Sequence, residues 1–293
     1  MIAEPARLLK TGRLTIQRWQ RGRGGRRLAD ELAVEEPLEI RLDTRSIMVT
    51  MRTPGNDDEL AAGFLLSESV IREAGDLAAI RSNRRNKDGN SIDVFLRPGL
   101  TAALDQLTRH VYASSSCGLC GRTSIASLSA RIKNIPSKLE VSAEALLALP
   151  VRMREAQEAF SRTGGLHAAG LFNENGDLLV LREDVGRHNA VDKVIGWALL
   201  EKLLPLQHHI LLISGRASFE IVQKSLLAGL PLVAAVSAPS TLAVALARRY
   251  RQTLVGFLRD SSLNVYSQPN RVILPRKKGR GKPLAVPVAS SRL

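Results

Sequence analysis

The chain has 293 residues, 44% of them apolar, with two cysteines and a formal net charge of +14. That apolar share excludes a wholly disordered chain, and so few cysteines exclude a disulfide scaffold of the secreted type. The opening "MIAEPARLLK" carries no apolar signal segment, so a reducing cytoplasm is the expected compartment.

In chain order, residues 1–30 hold eight Arg/Lys against Glu4 and Asp30, and residues 271–293 hold seven with no acid. The stretch between them, 27 basic against 26 acidic, is nearly neutral. Residues 1–30 and 274–293 therefore read as solvated basic tails, with at most weak contact to anionic partners and no specific nucleic acid. Residues 31–110 read as a small α+β unit. "EEPLEIRLDTRSIMVTMR" predicts two strands about an Asp43-Thr44 turn, and "NDDELAAGFLLSESVI" a helix capped by Asn56 with Asp57, Asp58 and Glu59 in its first turn. "NKDGN" is a turn before the strand "SIDVFLRP".

Residues 111–161 form a cysteine loop and helical connector. "RTSIASLSARI" has a helical pattern, and "SAEALLALPVRMREAQEAF" predicts two short helices parted at Pro150. Residues 162–273 form an α/β domain. The strands "HAAGLF" and "DLLVLRE" join through Asn175-Gly176, and helices over 189–204, 219–228 and 240–250 then alternate with apolar strands and a final "LNVYS". The pattern predicts a mostly parallel sheet covered on both faces and opened by an antiparallel hairpin, with ligands at the carboxyl ends of its strands. The charge-free run Leu226 to Ala247 contains Gly229, Pro231 and Pro239, which divide it into a strand and a helix, so no membrane span is expected.

Four loops of this domain join an arginine to small or polar residues: "SRTGG" (Arg162), "EDVGRHNAVDK" (Arg187 and His188), "ISGRASFE" (Arg216) and "GFLRDSS" (Arg259). Turn chemistry and capping by Asn189 and Ser218 explain any one of them. Together they supply the guanidinium and helix N-terminal donors that a phosphate-bearing ligand needs.

Both cysteines lie in "SSSCGLCGR", as Cys117 and Cys120. A C-x-x-C pair serves zinc, thiol-disulfide exchange or sulfur carriage. Zinc lacks a second ligand pair among His110, His167, His188, His208 and His209, and no metal is expected. A thioredoxin motif follows an early strand, whereas this pair follows 116 residues. Sulfur carriage asks for a reactive, accessible thiolate; Arg122 and a following helix N-terminus favour the thiolate, and the serines and glycines leave it unobstructed.

Seven ordered motifs, "EEPLEIRLD", "TPGNDDELAAGFLLSESVI", "SSSCGLCGR", "GGLHAAGLF", "EDVGRHNAVDKVIG", "SGRASFEIVQK" and "VSAPSTLAV", resemble the FdhD family of formate dehydrogenase accessory sulfurtransferases over roughly residues 35–273. The resemblance implies an enzyme that accepts persulfide sulfur from a cysteine desulfurase and passes it to the bis(molybdopterin guanine dinucleotide) molybdenum cofactor destined for formate dehydrogenase. It implies Cys117 as the persulfide residue with Cys120 beside it, and cofactor binding by Phe257, Leu258, Arg259, Asp260, Ser261 and Ser262, to which the loop reading adds Arg187, His188 and Arg216. It further implies a homodimer and a cytidine-deaminase-like α/β domain. The zinc chemistry of such deaminases is not implied, since no His-x-Glu occurs and Ser116 replaces the proline of P-C-x-x-C. A thiol-disulfide oxidoreductase and a non-catalytic cofactor-binding chaperone are the competing readings.

Overall fold

A computed structural model describes residues 9–82, 90–100, 132 and 134–275. Cys117, Cys120, the helix expected over 122–132, the "NKDGN" turn and the C-terminal basic tail fall wholly or almost wholly outside the described residues.

The expected N-terminal tail is not a tail throughout. Strands β1 (Thr11–Gln20) and β2 (Gly24–Ala33) pair antiparallel as a two-stranded ribbon. Gly22 and Gly24 take positive φ at its turn, which only glycine adopts without strain. Arginines interrupt the apolar alternation of these strands, which is why the charge pattern concealed them.

A four-stranded sheet follows, in the order β4-β3-β6-β5, from β3 (Glu36–Leu42), β4 (Arg45–Arg52), β5 (Leu77–Ser82) and β6 (Ser91–Leu96). Asp43 and Thr44 both have positive φ, as a tight two-residue hairpin turn requires. Strand β5, "LAAIRS", has only half-buried and exposed positions and escaped the sequence pattern. Helix α1 (Asp57–Ser67) has Asn56 at its N-cap, but Asn56 is there for its left-handed backbone, φ 59°, and makes no side-chain cap bond.

Helix α2 (Ala143–Ala156) runs unbroken through Pro150, because Leu146, Leu149 and Met153 are buried on both sides of the missing hydrogen bond. The break expected at Pro150 falls instead at Gln157, before helix α3 (Glu158–Thr163). A two-residue strand β7 (Val141–Ser142) precedes α2 and pairs with β14 (Val272–Ile273) at the end of the described chain.

The larger sheet has the order β13-β12-β11-β10-β8-β9. Its strands are β8 (His167–Phe172), β9 (Leu178–Asp184), β10 (Ile210–Ile213), β11 (Leu232–Ala235), β12 (Thr253–Gly256) and β13 (Asn264–Ser267). The α/β class stands, but the sheet is mixed: β10, β11 and β12 run parallel, while β8, β9 and β13 are joined antiparallel. The β10–β12 segments are buried on both faces, as continuous apolar runs require. Helices α4 (Arg187–Leu200), α5 (Phe219–Leu227) and α6 (Thr241–Arg249) pack on one face and α2 on the other. Among the described residues no helix is long and apolar enough to cross a membrane.

The small sheet and the large one share one hydrophobic core, which includes Leu38 and Ile40 of β3, Leu60 and Leu65 of α1, and Val191 and Ile195 of α4. Helices α1 and α4 meet backbone to backbone through Gly63 and Gly196. A Cβ on Gly63 would fall on the carbonyl oxygen of Asp192, and one on Gly196 on that of Glu59. Gly63→Ala or Gly196→Ala is therefore expected to cost about 3 kcal/mol or more by overpacking, read as a lowered urea midpoint. Gly75→Ala, whose Cβ would meet nothing nearer than 3.7 Å, should stay within about 0.5 kcal/mol of wild type.

Candidate functional site

The parallel run of β10, β11 and β12 brings their carboxyl ends to one edge of the large sheet. Strand β8 is antiparallel to β10 and pairs Ala169 with Ile213, so its first residue, His167, lies at the same edge. Asp184, at the end of β9, pairs with His167, and α4 starts immediately afterwards. Three helix N-termini, those of α4, α5 and α6, thus converge here with the loops 214–218, 236–240 and 257–263. Their free N–H groups and dipoles favour an anion.

The loops are tied to one another. Ser237 N donates to Gly215 O (3.3 Å), Ala217 N to Ala238 O (3.2 Å) and Ser240 N to Ala217 O (3.0 Å). Ser218 caps α5 by accepting from Ile221 N, and Ser240 caps α6 by accepting from Ala243 N. Phe257 N donates to Ser237 O (3.1 Å), Leu258 N to Ala235 O (3.0 Å) and Arg259 N to Ser262 O (2.9 Å). Gly256 allows this crossing, since a Cβ there would stand 2.8 Å from Pro239 Cδ.

The "EDVGRHNAVDK" stretch divides its labour by position. Glu183 accepts from Ala159 N (3.0 Å) and Phe160 N (2.7 Å) at the start of α3. Asp184 accepts from Thr53 N (3.1 Å), Gly186 N (2.8 Å) and Asn189 Nδ2 (3.0 Å), and pairs with Lys193 Nζ at 2.7 Å. Lys193 also donates to Thr53 O (2.8 Å), and burial lowers its pKa although Asp184 opposes the shift. Asn189 is no cap: Gly186 holds that position, and the Asn189 amide donates to Met51 O at 2.8 Å inside the helix. These bonds tie the N-terminus of α4 to β4 and to the turn that follows it.

Arg187 and His188, the first residues of α4, lie at the edge. The Arg187 Nε is buried and has no hydrogen-bond partner among the described residues. A Cβ on Gly215 would lie 3.5 Å from His167 Nδ1 and 3.6 Å from Arg187 Cδ, so these three residues are close neighbours. His188 Nε2 lies 3.2 Å from Ser218 Oγ and 3.3 Å from Glu220 Oε2. From Glu220 the polar chain continues inward: Lys224 Nζ at 3.5 Å, Asp192 at 2.7 Å from Lys224, and Ser67 Oγ donating to Asp192 Oδ1 at 2.7 Å. Burial pulls Lys224 down, but Asp192, Glu220 and Glu68 outweigh it and hold the ammonium above its ordinary pKa. Burial, then the Arg187 and Lys224 cations, push His188 down to about 4. Its contact with Glu220 is therefore a hydrogen bond of a neutral imidazole at neutral pH, not an ion pair.

Of the residues expected from sequence, Arg187, His188, Arg216, Phe257, Arg259, Asp260, Ser261 and Ser262 all belong to this edge, and Arg216 and Phe257 through Ser262, apart from Leu258, are exposed. The Leu258 side chain is wholly buried on the α2 face and anchors its segment. Arg162 is engaged elsewhere, gripping Glu31 of β2 at 2.5 and 3.0 Å. His167 was weighed in the sequence only as a zinc ligand; its place beside Arg187 follows from the antiparallel β8–β10 pairing, which has no local signal. Its pKa is lowered by burial and by Arg187. Among the described residues no cluster of His, Cys, Asp and Glu is arranged to hold a metal ion.

The pKa of His188 has a measurable consequence. The folded imidazole ionises near pH 4 and the unfolded one near 6.5, so the unfolded chain binds more protons between them. His188's contribution to stability is complete above pH 6.5 and is lost as pH falls toward 4, on the order of 3 kcal/mol in all. The stability difference between wild type and His188→Gln should narrow across that window in urea unfolding; a pH-independent difference would contradict the assignment.

Comparison with known proteins identifies the scaffold. The FdhD/NarQ family model matches residues 33–273. A protein called sulfur carrier protein FdhD from Mycolicibacterium paratuberculosis is 50% identical over 250 residues, covering 83% of this chain and 92% of that protein. One of the same name from Streptomyces coelicolor is 52% identical over 261 residues, covering 86% and 92%. A crystal structure described as that of a formate dehydrogenase accessory protein from Desulfotalea psychrophila superposes with a TM-score of 0.73 at 26% identity, covering 90% of this chain and all of that one. The chain belongs to the FdhD/NarQ family.

Proposed function

We propose that the chain is a sulfur carrier in the maturation of formate dehydrogenase, which takes sulfur onto Cys117 and delivers it to a molybdenum cofactor held at the strand-end edge. The names and near 50% identity of the relatives support the sulfur-carrier role. The name of the structural neighbour supports the link to formate dehydrogenase. The observation that carries the acceptor site is the convergence of three helix N-termini on the edge that holds Arg187, whose buried Nε has no partner among the described residues.

In this reading the donor is a cysteine desulfurase. The Cys117 thiolate attacks the outer sulfur of the donor's persulfide, the donor thiolate leaves, and the outer sulfur with its proton becomes Cys117-S-SH. The acceptor, bis(molybdopterin guanine dinucleotide) molybdenum cofactor, is substrate rather than resident group. Its phosphates match the edge in charge: N–H groups of α4, α5 and α6 and the Arg187, Arg216 and Arg259 guanidiniums donate to anionic oxygens. Phe257, 41% exposed and held at φ 50°, offers a face on which a guanine can stack. Neutral His188 keeps Ser218 and Glu220 in place and adds no charge. Cys120 resolves an undelivered persulfide by attacking the Cys117 sulfur, releasing hydrosulfide as the two cysteines are oxidised to a disulfide. The protein works as a cytoplasmic homodimer.

Intact-mass measurement after incubation with a desulfurase and cysteine tests the carrier step. Wild type should gain one sulfur and Cys117→Ala should not; a gain undiminished in Cys117→Ala/Cys120→Ala would refute it. Calorimetry with guanosine diphosphate tests the acceptor edge. Arg187→Ala and Arg259→Ala should each weaken binding about tenfold or more, as loss of a charge-assisted hydrogen bond does. Unchanged affinity in both would move the site elsewhere.

A further inference from the structure

We propose that the β1–β2 ribbon is a docking arm for a protein segment that is acidic and partly apolar. All of the ribbon but its last residue precedes the stretch matched by the family model, and the proposal is independent of the cysteine chemistry. Every residue from Gln17 to Arg27 is exposed. That stretch contains Arg18, Arg21, Arg23, Arg26 and Arg27 and no acidic residue. The register places Arg18 directly opposite Arg26, and like charges so placed repel across the ladder. Arg18 meets Asp30 only loosely, at 3.8 Å.

The same register gathers an apolar strip. Cross-strand partners share a face, as do alternate residues along a strand. The pairs Gly12–Leu32, Leu14–Asp30, Ile16–Leu28 and Arg18–Arg26 therefore lie on one face, so Leu14, Ile16, Leu28 and Leu32 lead up to the arginine pair. Leu14 is 58% and Leu32 42% exposed, and Trp19, on the other face, is 71% exposed. The ribbon is tied at its base, where Val34 N donates to Lys10 O (2.9 Å) and Arg162 grips Glu31. Helix α3 packs against β2, but Gln17 to Arg27 stay exposed among the described residues, and a two-stranded ribbon is marginal in water by itself, so a strip of this kind is completed by an added layer.

Charge decides the occupant. These guanidiniums, of which only Arg18 has an acidic partner among the described residues, fit carboxylates, and a second copy offers no acidic excess to match them, since residues 31–270 are nearly neutral and residues 271–293 are basic. A nucleic-acid backbone would engage the arginines but leave the aliphatic strip uncovered. An extended acidic segment with alternating apolar residues satisfies both, by adding along a free edge of the ribbon.

The test titrates the full chain, at physiological salt, with a soluble peptide alternating Glu and Val, an oligo-glutamate of equal charge, poly(U) RNA and phosphatidylglycerol vesicles. Binding is read by calorimetry and by tryptophan emission, with Trp19→Phe as the control that removes the reporter from the ribbon. The Glu/Val peptide is expected to saturate, shift the Trp19 emission to the blue and bind tighter than the other three. Arg18→Gln/Arg26→Gln relieves the repulsion within the ribbon, so it does not unfold it by that route, yet should weaken binding about tenfold; Leu14→Thr should weaken it too. No binding, equal binding of oligo-glutamate, tighter binding of poly(U) or vesicles, or unchanged affinity in the Gln variant would each overturn the proposal. A dimer lost in the ribbon variants would likewise overturn it, by assigning the strip to a second copy.

Discussion

The contact between α1 and α4 through Gly63 and Gly196 is the constraint on which the rest of the molecule hangs. Two helix backbones can approach so closely only where neither carries a side chain at the crossing. That approach brings α1, and with it the four-stranded sheet, into the core of the larger α/β layer. Polar bonds flank the crossing on both sides: Arg182 with both Glu59 oxygens at 2.5 and 2.6 Å, and Asp192 accepting from both Lys224 and Ser67. Buried pairs of this kind add little net stability, because desolvation offsets their attraction, but a shifted helix would leave each charge unpaired. The glycines permit the crossing, and the ion pairs penalise any other register.

This seam also sets the candidate site. The N-terminus of α4 is held by Asp184, Lys193, Asn189 and Thr53, three of them from the α/β layer and one from the turn after β4. Arg187 and His188 thus sit on a helix fixed from both sides. The positive character of the edge comes from arginines and helix termini, while burial keeps His188 uncharged.

Much of this was legible in the sequence, and the failures have physical causes. The α/β alternation, the Asp43-Thr44 turn and the Ser218 cap were read from local chemistry and stand in the structure. Asn189 was read as a cap from residue type alone, but its partners, Met51 and Asp184, are assembled by tertiary packing. Pro150 was read as a helix break, yet the burial of Leu146, Leu149 and Met153 overrides its missing hydrogen bond. The antiparallel β8–β10 pairing, which makes the sheet mixed and carries His167 to the edge, leaves no trace in strand composition. The ribbon was missed because four arginines within its strands, Arg13, Arg18, Arg26 and Arg27, mask its alternation. Cys117 and Cys120, the most telling residues of the sequence, lie outside the described residues.

The zipper between loops 214–218 and 236–240 has an entropic consequence. Their cross-bonds, together with the anchoring of Phe257 on the second loop and of Leu258 on the end of β11, fix the backbone of three loops before any ligand arrives. Ordering a free residue costs about 1–2 kcal/mol, so a site assembled from loose loops would spend much of its interaction energy on its own ordering. Here that cost is met during folding, and a large, multiply charged ligand can be held firmly without the protein having to close around it. Such a binder can also let its cargo go without first reopening.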